Sequence, residues 1–328
     1  LFSEDNLPLL TSDAKLSKEY DAIIGSQTVT WDDEEVTLTQ LSPVMLETDR
    51  DKREKAWRLA SNRRLKDRKS INAIWEKVLK IRMSIAKNSN YEDYRAWRWE
   101  YLKRFDYTPD DCLTFHKSIE KVIVPLADKL LKKRKDALGL DKLKPWDLSV
   151  DIHERQALAP FKDAKELEEK CHNIFTSVDP ELGEHFGIMR EKNLLDLGNR
   201  KGKAPGGYCT EYPFQRLPFI FMNAVGTHSD VQTMIHEGGH AFHVFESADL
   251  PYSSQRDVGM EFAEVASMAM ELLASPFLTE NNGGFYTKQD SARARIEHLE
   301  KIIMFWPYMA VVDAFQHWAY TNPNEALN

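Results

Sequence analysis

The stretch His236-Glu237-Gly238-Gly239-His240 constrains this chain more than any other. As a helix it sets two imidazoles four residues apart, leaving one face a single turn from each other. A carboxylate, Glu237, stands between them on a neighbouring line. Two neutral imidazoles can hold Zn²⁺, and a carboxylate so placed can take a proton from water on that ion. Glycine inside a helix is unfavourable by roughly 1 kcal/mol against alanine, and here there are two. Close approach by another backbone, or by a substrate, is the simplest compensation. The competing reading is an ordinary helix whose histidines are satisfied by hydrogen bonds.

Two histidines leave a zinc site open, so a third protein ligand is needed. The pattern HExxHxxGxxH would place it at position 246, which is Glu246, and the required glycine is absent. His243 lies roughly 10 Å along the axis from His236, so it flanks the site rather than joining both rings on one ion. Downstream, the spacing predicts a helix over 257–275 carrying Asp257, Glu261, Glu264 and Glu271. Phe262, Val265, Ala266, Ala269 and Leu273 form its expected apolar stripe, with Glu261 and Glu264 beside it. Small residues at Ala263, Ala266, Ser267 and Ala269 would let this helix approach Gly238-Gly239 closely. One of the two carboxylates is then placed to reach the ion while the other holds a ligand histidine. Spacing does not choose between them.

The rest of the chain narrows the class. Hydrophobic residues make up 42% and charged ones 29% of 328 residues, which excludes a disordered or membrane-embedded chain. A net charge of −8 argues against nucleic acid as partner, because phosphate binding wants concentrated positive charge. Cys112, Cys171 and Cys209 show no CxxC spacing, so reduced thiols and a cytoplasmic location are expected. No apolar run is long enough to span a bilayer, and the opening residues lack a secretory pattern.

Helical periodicity is expected from Thr48 to about Lys87, with Ile71, Ile74, Trp75, Val78, Leu79, Arg82 and Ile85 on one face. Further helices open at Thr108-Pro109, at Asp163 and at Asp179-Pro180, and one runs from about Lys288 to Tyr320 with a bend at Pro307. Thr28 to Thr39 reads as a hairpin about Asp32-Asp33. Leu194–Leu197, Gly207–Tyr212 and Phe219–Phe221 read as short strands of a small sheet. Ser229 to Gln232 would cap the motif helix.

Several stretches together resemble a known family: Ala204-Pro205-Gly206-Gly207-Tyr208-Cys209, Pro218 to Asn223, the HEGGHAFH run, and Glu261-Phe262-Ala263-Glu264-Val265-Ala266-Ser267. Leu41 to Arg53 and Phe315-Gln316-His317-Trp318 fit as well. The chain is similar in these to the M3 zinc metallopeptidases, particularly the oligoendopeptidase F branch. The resemblance implies one Zn²⁺ held by His236, His240 and Glu264, with Glu261 supporting a ligand. It implies a mainly α-helical, zincin-type fold of two lobes around a channel, with a small sheet beside the motif helix. It also implies a cytoplasmic endopeptidase acting on short peptides. Residues 41–328 would be the catalytic domain and 1–40 the remnant of a preceding lobe. A later family segment with a histidine and tyrosines falls beyond Asn328, so the chain resembles the middle of a longer enzyme whose absent parts would be its partners.

The expected chemistry is hydrolysis by metal-activated water, with Glu237 as general base and then proton donor to the leaving amine. Gly206, Gly207 and Tyr208 could present an edge strand to the peptide backbone; a plain turn is the alternative. Rival readings are a catalytically incomplete module that binds metal or peptide, and a helical scaffold in which HExxH is accidental.

Overall fold

The computed structural model describes residues 1–327. In chain order the elements are α1 (Leu7–Gly25), β1 (Thr28–Trp31), β2 (Glu34–Thr37), α2 (Arg50–Lys66), α3 (Arg68–Asn88), α4 (Tyr94–Tyr101), α5 (Pro109–Val122), α6 (Val124–Ala137), α7 (Ala164–Val178), α8 (Pro180–Glu191), β3 (Leu195–Gly198), β4 (Tyr208–Tyr212), β5 (Leu217–Ala224), α9 (His228–Ser247), α10 (Ser253–Arg256), α11 (Val265–Ala274), α12 (Lys288–Thr321) and α13 (Pro323–Ala326). Short 3₁₀ turns link several of them. The fold is mainly α, and no described helix is long and apolar enough to cross a membrane.

The chain divides into two compact units: one of residues 1–27, 61–148 and 298 onward, the other of residues 28–60 and 149–297. In the first unit, Leu16 of α1 packs with Ile74 and Val78 of α3. The Asn6 side chain donates to the carbonyl of Ile85 at 3.1 Å, tying the start of the chain to the end of α3. The first 27 residues therefore belong to a packed unit and are not an appendage. Arg82, the polar interruption on the apolar face of α3, is explained by its pairing with Asp13 at 3.0 Å and its hydrogen bond to the Tyr320 hydroxyl.

The expected helix from Thr48 to Lys87 is two helices, broken at Asp67, whose carboxylate accepts from Gln27 at 2.8 Å. The helix opened by Thr108 carries its reciprocal cap with Asp111 and breaks at Ile123, one residue before α6 with Pro125 in its first turn. Among the described elements, α12 runs unbroken through Pro307.

The second unit holds the sheet and the motif helix. Asp32 and Asp33 both adopt positive φ, 49° and 65°, as a two-residue hairpin of β1 and β2 requires. The three-stranded sheet has the order β3-β5-β4, parallel between β3 and β5 and antiparallel between β5 and β4. A core of Leu167, Ile174 and Phe175 from α7, Phe186 and Met189 from α8, and Met234 and Ile235 from α9 gathers behind it. Each such side chain contributes about 1.5–3 kcal/mol by leaving water.

Candidate active site

The motif helix α9 starts at His228, with Thr227 as its cap, rather than within Ser229 to Gln232. Thr227 and Asp230 satisfy each other's backbone amides, and Asp230 also accepts from Val225 at 3.0 Å, so the box locks two residues earlier than expected. From this fixed start the helix buries Glu237, Gly238 and Gly239. A Cβ on Gly238 would lie 2.5 Å from the ring of Phe175, and one on Gly239 would lie 2.5 Å from the Cα of Ser267. The compensation for Gly239 is therefore backbone-to-backbone contact with α11, and for Gly238 an aromatic ring in the core.

The second helix differs from its expected form. It begins at Val265, not Asp257, and residues 260–264 form turns, with Glu264 in the capping position. The expected apolar stripe is largely exposed: Phe262 is 68% and Leu273 55% accessible. The face turned inward carries Ser267, Met270 and Ala274. The reason lies in the spacing of Glu264, Ser267 and Glu271, three and then four residues apart and so on one line. Ser267 is small enough to sit on Gly239, and its hydroxyl donates to the Glu264 carboxylate at 2.8 Å.

This packing brings three expected residues together. Glu264 Oε2 lies 3.1 Å from His236 Nε2 and 3.3 Å from His240 Nε2. The three ligand atoms lie within 4.8 Å of one another. With metal–ligand bonds near 2.0–2.2 Å, neighbouring ligands on a tetrahedral ion are about 3.3–3.5 Å apart, so the set is metal-sized. The two rings stand nearly perpendicular, at 85°. His236 Nδ1 bonds Glu271 Oε1 at 2.7 Å, which puts the ring proton on Nδ1 and aims the Nε2 lone pair at the site.

Glu271 thus has the ring-holding role that the resemblance implied for Glu261. Glu261 lies exposed in the turn before α11, its carboxylate beside Gly259. The signal that identifies Glu271 is its seven-residue spacing from Glu264, which keeps the two acids on one helix line.

Glu237 is 5% exposed, and one of its carboxylate oxygens has no hydrogen-bond partner. Burial pushes its carboxyl up to about 7; nearby Glu264 adds to this, while His236 and a hydrogen bond from the Cys209 amide oppose it. At His236 burial works against the charged ring. The Glu271 hydrogen bond and the charges of Glu237 and Glu264 outweigh it, and the imidazole is held above its ordinary value. Burial lowers His240, opposed by Glu264.

A cavity of about 670 Å³ opens over these groups, lined also by Gly207, Tyr208, Glu211 and Arg256. Among the described residues β4 pairs only with β5, so its other edge is open beside the site. Gly207 and Tyr208 line the cavity, but Gly206 does not. Gly206 sits in a turn at φ +87°, and its carbonyl accepts from Asn223 at 2.9 Å. His243 also lines the cavity, as a flanking group.

A mainly helical fold carrying an HExxH helix and a separate glutamate on a second helix defines the metallopeptidase class. Residues 44–327 match Peptidase family M3, and the chain belongs to that family, in its oligoendopeptidase F branch. It is 28% identical over 159 residues to group B oligopeptidase PepB of Streptococcus agalactiae serotype III (strain NEM316), which is 48% of this chain and 26% of that protein. It is 26% identical over 170 residues to oligopeptidase PepF of Bacillus subtilis (strain 168), 50% of this chain and 24% of that one. The solved structure of PZ peptidase A with inhibitor 2 superposes with a TM-score of 0.93 at 33% identity, covering 98% of this chain and 56% of that one. A chain from Bacillus anthracis str. Ames, assigned as an oligoendopeptidase F, gives 0.92 at 29% identity, over 98% and 58%. The chain therefore spans little more than half the length of these solved relatives.

Proposed function

We propose that this chain carries the catalytic centre of a zinc-dependent endopeptidase that cleaves internal bonds of short peptides. The observation that carries the reading is the convergence of the His236, His240 and Glu264 ligand atoms beside the buried, half-satisfied carboxylate of Glu237. Two imidazoles and one carboxylate fit one Zn²⁺ with a position left open. When bound, the ion would supply Lewis-acid polarisation of the scissile carbonyl and of a water.

The chain's own groups supply the rest. Glu271 fixes the His236 ring, and Ser267 fixes the Glu264 carboxylate. Glu237 accepts the proton of the attacking water and returns it to the departing nitrogen. The Cys209 amide keeps that carboxylate aimed into the cavity. The open edge of β4, from Gly207 through Glu211, pairs with the backbone of an extended peptide, giving affinity with little dependence on its side chains. Three cysteines spaced far apart and without a CxxC pair suit a reducing compartment, the cytoplasm.

Replacing Glu237 by Gln tests the mechanism. Cleavage of a fluorogenic peptide should collapse while bound zinc stays near one ion at this site; retained turnover would end the proposal. Products from a peptide blocked at both ends separate endopeptidase from carboxypeptidase action. The second reading is a module that binds metal or peptide without turnover. Turnover by this chain alone excludes it.

A further inference from the structure

The first unit contains a second gathering of metal-capable side chains, remote in sequence from the HExxH motif. Cys112 and His116 are four residues apart on α5, and Asp313 and His317 are four apart on α12. Each pair thus leaves one face of its helix a turn apart. The ligand atoms of Cys112, Asp313 and His317 all lie within 4.8 Å of one another. Asp313 Oδ2 lies between two imidazoles, 2.7 Å from His116 Nε2 and 3.5 Å from His317 Nε2. His317 is 8% exposed, and the His116 side chain 14%.

We propose that Cys112, Asp313 and His317 form a second metal site of the zinc class, with His116 as its fourth donor. A sulfur, two imidazoles and a carboxylate suit Zn²⁺ or Co²⁺ and disfavour Mg²⁺ and Ca²⁺, which take oxygen ligands. The 3.5 Å between His317 and Asp313 is the separation of two ligands on one tetrahedral ion, about 3.3–3.5 Å. His116 holds the Asp313 carboxylate in place but lies outside the 4.8 Å set, so it completes the set only by giving up that hydrogen bond and turning its ring toward the ion. The second site holds no spare carboxylate like Glu237, so its ion joins α5 to α12 instead of activating water. Two cationic neighbours of His317, Arg95 and Arg104, oppose loading. The Arg95 guanidinium lies 3.5 Å from His317 Nδ1 and can only donate. Metal on Nε2 requires a proton on Nδ1, so Arg95 must turn away.

The sulfur makes the site separable from the HExxH centre, whose ligands are nitrogen and oxygen. The chain is stripped with chelator, reloaded with Co²⁺, and read by metal analysis and by thiolate-to-cobalt absorption in the near ultraviolet. The expected result is two ions per chain with a thiolate band in the wild type. Cys112→Ser should lose the band and one ion. Cys209→Ser, which alters the thiol beside Glu237, should keep both ions and the band. His240→Ala should keep the band with one ion, and its thermal midpoint should rise on adding Zn²⁺. Arg95→Gln should bind the second ion more tightly. A single ion in the wild type, no thiolate band, or a band that survives Cys112→Ser overturns the proposal. The wild-type measurement needs no variant to fold.

Discussion

The two clusters of histidine and acid invite comparison, because both draw ligand atoms from a pair of helices. Around HExxH, two of the three ligands have a second group assigned to them: Glu271 on His236 and Ser267 on Glu264. A further carboxylate, Glu237, stands buried with an oxygen unspoken for. Around Asp313, His116 is a hydrogen-bonded partner, Arg95 and Arg104 are cationic neighbours of His317, and Asp313 is the single acid of the metal-capable set. The difference teaches that holding an ion and using it are separate achievements. Ligands suffice for the first, whereas the second needs a buried base beside them.

The largest effect should fall where the clusters differ most. Glu237→Gln is expected to lower kcat by about a hundred- to ten-thousandfold, the range of general acid–base catalysis, with metal content unchanged. If activity survives, the two clusters are equivalent as binding sites and the contrast fails. Next, Glu271→Gln should weaken metal binding at the HExxH site about 10–100-fold, measured by competition with a chelating dye. An unchanged affinity would show that the ring of His236 is held by packing alone.

A smaller effect concerns the backbone contact beneath the first cluster. Gly239→Ala should destabilise the fold by about 1–3 kcal/mol in a denaturant titration, since the atoms it meets are main chain and cannot rotate away. Gly187→Ala in α8 meets only the tip of His172 at 3.8 Å and should be neutral or stabilising by up to about 1 kcal/mol. Matching signs for the two would remove the argument for a close approach at Gly239.

The mildest effect is on pH. In the metal-free protein His236 is held above its ordinary value and Glu237 near about 7, so both carry protons more readily than when exposed. An ion must displace those protons. Affinity at the HExxH site should therefore rise with pH over the range in which His236 and Glu237 lose their protons. Loading near neutrality should release protons, detectable by calorimetry in buffers of different ionisation heat.

How much of this was legible in the sequence follows from how local each signal is. The Asp32-Asp33 hairpin, the three short strands and the Thr108 and Asp179 helix starts all rest on neighbours within a few residues, and the structure carries them. The register of α11 does not. Phe262, Val265 and Leu273 form a good stripe by periodicity, yet the face that packs is chosen by what α9 offers, two glycines and a histidine needing a carboxylate. The start of α9 at Thr227 was hidden because Ser229 also has capping chemistry, and only the additional bond from Val225 to Asp230 separates them. The Cys112 and Asp313 pairs were invisible for a different reason. Each is a common i, i+4 coincidence, and about two hundred residues of chain lie between them.

Contact between Gly239 and Ser267 sets a fixed distance between two main chains, and that has a bearing on how such a centre can change. Side chains around the cavity can be exchanged one at a time, and with them the preference for particular peptides. The gauge between the helices carrying the imidazoles and the acid cannot be altered in small steps, because the smallest addition at Gly239 already forces the tracks apart.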